Sequence, residues 1–269
     1  MFMAELPVLY IPHGGGPCFF MDWTMGPPDT WHRMAEWLRH LPELVGATPK
    51  AVLVISGHWE EDPVAVTSHP SPPLLYDYYG FPEHTYQLKY PAPGSPALAQ
   101  RVGELLAEAS LAVKNDAVRG FDHGVFIPFK LIYPDADIPI VQLSLRAGLN
   151  AEDHIRIGRA LAPLRHEGVL IVGSGMSFHN LRAFGPAAGP VSDQFDEWLT
   201  NAVCAPDPQL RDDSLASWKQ APGARMAHPR EEHLLPLMVA AGAAGNEQGR
   251  KLFQDRVMGA IVSAFGFGL

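Results

Sequence analysis

Cysteine is scarce in this chain: Cys18 and Cys204 are the only two in 269 residues. Two thiols so far apart build neither a disulfide framework nor a thiolate zinc site, which fits a reducing, cytoplasmic setting. No apolar run reaches the ~18 residues that a membrane span needs. Basic clusters are missing as well. Lys and Arg number 20 against 29 Asp and Glu, and the formal charge of −9 argues against nucleic acid or an anionic membrane as a partner. The stretch before Pro12 has no basic region ahead of its apolar residues, so it reads as a first core strand rather than a signal peptide. Internal repeats, linkers and low-complexity tracts are also lacking. Gly and Pro, at 25 and 26 residues, stay below a disordered composition but imply many shaped loops.

Strand and helix patterns alternate through the rest. Apolar, β-branched runs end at Pro12 and occupy Ala51 to Ser56, Ile138 to Leu145 and Val169 to Val172, with an edge-like candidate from Pro63 to Thr67. Helical spacing covers Asp29 to Leu41, the segment after the Ser95-Pro96 cap, a short piece from Ile127 to Tyr133, and Asn150 to Leu164. Ser192 reads as the cap of a helix burying Phe195, Trp198, Leu199 and Val203. Residues 205–230 are loop-rich with room for one short helix, and Glu231 to Ala244 and Asn246 to Phe265 read as two closing helices. Four to six strands interleaved with helices predict a three-layer α/β/α sandwich around a mixed, mostly parallel sheet, with residues 1–269 forming one domain. The sequence is compatible with a homo-oligomer and does not set the oligomeric state.

Twelve histidines stand out against this frame. In an open α/β sheet, ligands bind where loops leave the carboxyl ends of the strands. His13 follows the first strand and precedes Gly14-Gly15-Gly16, His58 follows Ser56-Gly57, and His179 follows the strand that ends in Gly-Ser-Gly. Three distant segments thus offer imidazoles to one point, as a metal site requires. The alternative for each is a hydrogen-bonded core histidine at a strand end. His123, in Gly120-Phe121-Asp122-His123-Gly124, sits in a turn that would project its ring. His233 precedes Pro236, which cannot lie deep in a helix, so spacing alone places it at an exposed, charged helix start. Glu231 or Glu232 would then be free to complete a two-histidine, one-carboxylate set of the non-haem ferrous kind. His32, His40, His154 and His166 read as solvated surface, and His69, His84 and His228 as loop bystanders.

Seven motifs in order, across residues 7–240, resemble the class III extradiol ring-cleaving dioxygenases, in the branch typified by 4,5-DOPA extradiol dioxygenase. They are His13-Gly14, Ser56-Gly57-His58-Trp59, Tyr90 to Pro96, Gly120 to Gly124, Tyr133 to Pro139, Ser177-Phe178-His179-Asn180-Leu181 and Glu232 to Leu237. The resemblance implies a metal held by His13, His58 and His233, with His179 as the acid/base facing it. His123 would line the substrate pocket and share the catalytic work. It further implies Fe(II) in the active form, Zn(II) as a tight-binding substitute, and an aromatic diol plus O₂ as reactants. The product would be of the muconic-semialdehyde type. Relatives carry a shorter glycine loop after the first histidine, so Gly14-Gly15-Gly16 is expected to leave extra room beside His13.

Five of the seven tyrosines, Tyr76, Tyr78, Tyr79, Tyr86 and Tyr90, fall in the loop from Ser68 to Gly94. That loop is either a substrate lid, with Tyr76 and Tyr79 as substrate contacts, or an aromatic-anchored Ω-like loop. Arg119, Lys130 and Arg182 are candidates for a substrate carboxylate. A zinc-dependent hydrolase on a similar scaffold is the rival reading. A non-catalytic metal-binding relative ranks last, because both His179 and His123 are kept.

Overall fold

Among the described residues, one sheet collects every strand of the chain, and the helices cover its two faces. The structure, a computed structural model, describes residues 5–269. Its strands are β1 (Val8–Pro12), β2 (Ala51–Glu61), β3 (Val64–Thr67), β4 (Val113–Asp116), β5 (Ile140–Arg146), β6 (Val169–Gly175), β7 (Gly249–Val257) and β8 (Ala260–Phe267). They lie in the order β4-β3-β5-β2-β6-β1-β8-β7. The central run β5-β2-β6-β1 is parallel throughout, as is the β3–β4 pair. The β3–β5, β1–β8 and β7–β8 pairs are antiparallel. The sheet is mixed and mostly parallel at its centre, as the alternating pattern predicts.

The helices are α1 (His32–Arg39), α2 (Leu41–Val45), α3 (Pro96–Glu108), α4 (His123–Ile132), α5 (Ala151–Leu161), α6 (Gly189–Val203), α7 (Pro208–Ala216), α8 (Ala224–Ala227) and α9 (Leu235–Ala243). Successive side chains of a strand point to opposite faces, and two cores result. Leu53 and Ile55 of β2 pack with α3, α5, α6 and α9, while Val52 and Val54 pack with α1, α2 and α4. Every residue of α9 is buried, which suits a helix that is apolar all round. Ser95 and Asn150 cap α3 and α5 as expected, accepting from the Leu98 and Asp153 backbone N–H groups.

Several elements differ from the sequence reading. The segment from Asn246 to Phe265 is not helical. It is the β7–β8 hairpin, turned at Met258-Gly259 with both φ angles positive, the geometry of a tight two-residue hairpin loop. Eight strands therefore replace four to six, and β4 had no counterpart in the reading. Ser192 does not cap α6, which starts three residues earlier. Its hydroxyl donates to the Gly189 carbonyl and accepts from Ile261 N–H instead. Residues 205–230 hold α7 and α8 rather than one short helix. Helix α4 begins at His123, well before Ile127, and runs through Pro128. Pro128 has no N–H for the Gly124 carbonyl, and the Ser174 hydroxyl of β6 donates to that carbonyl in its place.

Candidate metal centre

Strands β1 and β6 end at one level, and β2, which runs on to Glu61 rather than stopping at Ser56, carries His58 inside the strand just past that level. Pro12 of β1 lies opposite Gly175 of β6, and the next backbone donor, His13 N–H, bonds the Gly175 carbonyl at 3.1 Å. Met176 N–H donates to the His233 carbonyl at 3.2 Å, and the buried Tyr10 hydroxyl donates to the same carbonyl at 2.7 Å. A Cβ on Gly175 would run into that carbonyl, so glycine is what allows β6 and the His233 backbone to meet. His58 sits where β2 slips register against β5, between Ile55 and Glu60. Such irregularities re-aim side chains beside sites.

The rings converge tightly. His58 Nε2 lies 3.3 Å from His13 Nε2 and 3.3 Å from His233 Nε2. His13 Nδ1 donates to the Gly14 carbonyl at 2.9 Å, and His233 Nδ1 donates to Glu232 Oε1 at 3.0 Å. A carbonyl or carboxylate can only accept, so the proton sits on Nδ1 and each Nε2 presents a lone pair. Burial, together with repulsion among the histidines themselves, pushes all three rings well below the usual imidazole range, so they are neutral. Two nitrogens 3.3 Å apart suit a common ion held at about 2.0–2.1 Å from each. Neutral, inward-facing nitrogens on three distant segments fit a metal ion.

His179 and His123 flank this trio. The His179 ring stacks on His233, and its Nδ1 is 3.5 Å from the same Glu232 oxygen. His123 lies 3.9 Å from His58, centroid to centroid, and its Nδ1 donates to Asp77 Oδ1 at 2.8 Å. Candidate donor atoms of His13, His58 and His123 lie within 4.8 Å of one another, as do those of His179, Glu232 and His233. The contact between His58 and His233 joins the two groups. Glu231 is spoken for by Lys219 and Arg225, and Glu232 faces the Nδ1 edges of the rings rather than their Nε2 edges. Asp77 is a site residue the sequence reading did not single out.

Residues 8–266 match the family model described as the catalytic LigB subunit of aromatic ring-opening dioxygenase. The chain belongs to this family. It is 43% identical to a 4,5-DOPA dioxygenase extradiol of Beta vulgaris over 80% of this chain and 81% of that one. A protein of Escherichia coli K12 with the same name is 35% identical, over 90% and 87%. Dioxygenase tasH of Hapsidospora irregularis is 36% identical, over 99% and 86%. The crystal structure of an uncharacterized E. coli K12 protein superposes with a TM-score of 0.77 at 33% identity, covering 98% of this chain and all (100%) of that one. The chain is an aromatic ring-opening dioxygenase of the metal-dependent, extradiol class.

In this dioxygenase a side chain on any of the three loop glycines would meet a neighbour: Cys18 and Phe19 at Gly14, Trp31 at Gly15 and Phe81 at Gly16. Tyr76 donates its hydroxyl to the Leu88 carbonyl, and Tyr79 is 90% exposed. Tyr78 is the loop tyrosine that reaches the centre, edge-on to His123 at 5.8 Å. Arg119 is engaged by Asp122 and the His58 carbonyl and stacks on Trp59, while Lys130 donates to the Lys89 carbonyl. Arg182 is exposed.

His154 and His228 are not surface groups. His154 bridges the Asn150 carbonyl and Arg146 N–H inside the fold. His228 donates to the Ser177 carbonyl at 3.0 Å between Phe195 and Trp218. Among the described residues, no helix is long and apolar enough to cross a membrane.

Proposed function

We propose that this chain is a non-haem iron(II) dioxygenase that opens the ring of a catechol-type substrate with O₂, next to the diol, giving a muconic-semialdehyde-type product. The observation that carries the reading is the meeting of the His13, His58 and His233 Nε2 atoms, two of whose rings are locked in the Nδ1–H form. These three histidines hold the metal. Ferrous iron, when bound, supplies a redox-active centre that brings the diol and O₂ together, which redox-silent zinc does not.

The flanking histidines do the proton work. Imidazole is suited to taking and returning a proton near neutral pH. His179, beside the ligand His233, accepts the second diol proton and gives it back as the ring opens. His123, on the other flank, meets the substrate from the side of His58, with the Tyr78 ring as an apolar wall. Relatives named for 4,5-DOPA make that catechol the first to test.

The test is anaerobic reconstitution with ferrous iron or zinc, then oxygen uptake and product absorbance across a panel of catechols. Turnover with iron and none with zinc is expected. Equal turnover with zinc would overturn the iron assignment, and an iron-loaded enzyme that ignores every catechol would overturn the substrate class.

A further inference from the structure

The tyrosine-rich loop is held by its own hydrogen bonds. Tyr78 donates to the Thr85 carbonyl at 2.7 Å, Phe81 N–H to the Tyr86 hydroxyl at 3.3 Å, and Leu75 N–H to the Phe121 carbonyl at 2.8 Å. Between these ties stands Asp77, whose side chain is 20% exposed. Its Oδ1 accepts twice from one residue, from the His123 backbone N–H at 2.9 Å and from His123 Nδ1 at 2.8 Å. Its Oδ2 lies 3.8 Å from His58 Nδ1.

Helix α4 needs that outside acceptor. Its own N-cap, Asp122, makes no capping bond to the helix. The Asp122 carboxylate is turned into the sheet instead, where it accepts from Ser56, Gln142 and Arg119. The first N–H of α4 would be left without a partner, and a loop residue 46 positions earlier supplies one.

We infer that Asp77 is a positioning residue of the centre: it anchors the start of α4 and keeps the His123 proton on Nδ1, leaving Nε2 as the nitrogen that meets a substrate hydroxyl. A neutral imidazole has one donor and one acceptor nitrogen, and a carboxylate can only accept. Tyr76 and Tyr78, on either side of Asp77 in the chain, are each tied to a loop carbonyl, which fixes the backbone that carries the carboxylate. The inference rests on the proposed role of His123 in the reaction; the tautomer itself can be read without any turnover.

The experiment uses the zinc-loaded, diamagnetic protein labelled with ¹⁵N-histidine, with His123→Gln identifying the His123 signals. The wild type should show His123 as the Nδ1–H form. In Asp77→Ala the signal should move toward the Nε2–H form, while Asp77→Asn, whose amide oxygen still accepts, keeps it. In the iron enzyme Asp77→Ala should lower turnover on the order of 10–100-fold, as loss of an orienting partner does. The double variant Asp77→Ala/His123→Gln should be no slower than His123→Gln alone. An Nε2–H form in the wild type, an unmoved tautomer in Asp77→Ala, or losses that multiply in the double variant would each overturn the inference. A protein inactive on all catechols would remove the proposed reaction and still leave the tautomer measurement to decide the role of Asp77.

Discussion

The imidazoles of His179 and His233 lie face to face, centroids 3.4 Å apart and planes 17° from parallel. Both turn Nδ1 to Glu232 Oε1, at 3.5 and 3.0 Å. One carboxylate oxygen therefore steers a proposed metal ligand and the proposed acid/base together.

Substitution should separate the two. His13→Ala, His58→Ala and His233→Ala are each expected to bind well under one iron per chain, whereas His179→Ala keeps its iron and loses roughly 10²–10⁴-fold in turnover. Metal analysis and oxygen uptake on the four variants check this. Full iron in His233→Ala would pass the third ligand to Glu232, and near-normal turnover in His179→Ala would leave His123 as the acid/base.

Tyr10→Phe should cost about 1 kcal/mol of stability, because it removes a buried hydroxyl bond while Met176 N–H still pairs the His233 carbonyl. Urea unfolding measures it, and iron content should hold. An iron-poor Tyr10→Phe would show that the hydroxyl also sets where His233 stands.

His228 should make the protein sensitive to acid. Burial pushes its ring down from 6.5 to about 4. Unfolding restores the ordinary affinity for protons, so between these values the unfolded chain binds more of them and stability falls as pH falls. At about 1.36 kcal/mol per unit, the loss amounts to about 3 kcal/mol once the pH is below the folded value. Unfolding free energies of wild type and His228→Gln, compared from pH 7 downward, should converge as the pH drops. Parallel curves would mean that His228 is not kept neutral in the fold.

Gly16→Ala should destabilise the fold rather than narrow the substrate range. Gly16 has φ of 55°, and a Cβ there would stand 2.9 Å from the Phe81 ring. The left-handed backbone alone accounts for roughly 1–2 kcal/mol. A lowered melting temperature with an unchanged catechol profile is the expected result; an unchanged melting temperature would mean that the loop gives way easily.

The strand ends were readable because β-branched runs, glycine and histidine stand next to each other in sequence. His13 does follow β1 directly, whereas His58 lies inside β2, whose run continues to Glu61 beyond the glycine that suggests its end. His233 was different: its spacing pointed to solvent, and the motif resemblance brought it into the site. The partners of the rings had no local pattern. Asp77 reaches His123 across 46 residues, and an aspartate between tyrosines reads as any loop aspartate. His154 reads as solvated surface and His228 as a loop bystander because charged or loop residues surround them in sequence, yet both satisfy backbone groups inside the fold. The β7–β8 hairpin carries only one local signal, Met258-Gly259, where two positive φ angles close the turn.

The strand that delivers His13 has as its neighbours in the sheet β6 and β8, both of which come far later in the sequence. Pairings this distant in sequence form late, after the loop between them has closed. The Ser177 hydroxyl, two residues before His179, likewise accepts from Ser263 N–H of β8. The placement of the candidate ligands therefore depends on strands far from them in sequence. A chain cut before β8 would keep all five clustered histidines and lose the strand that pairs with β1 and ties down Ser177, so the rings would no longer be aimed at one point.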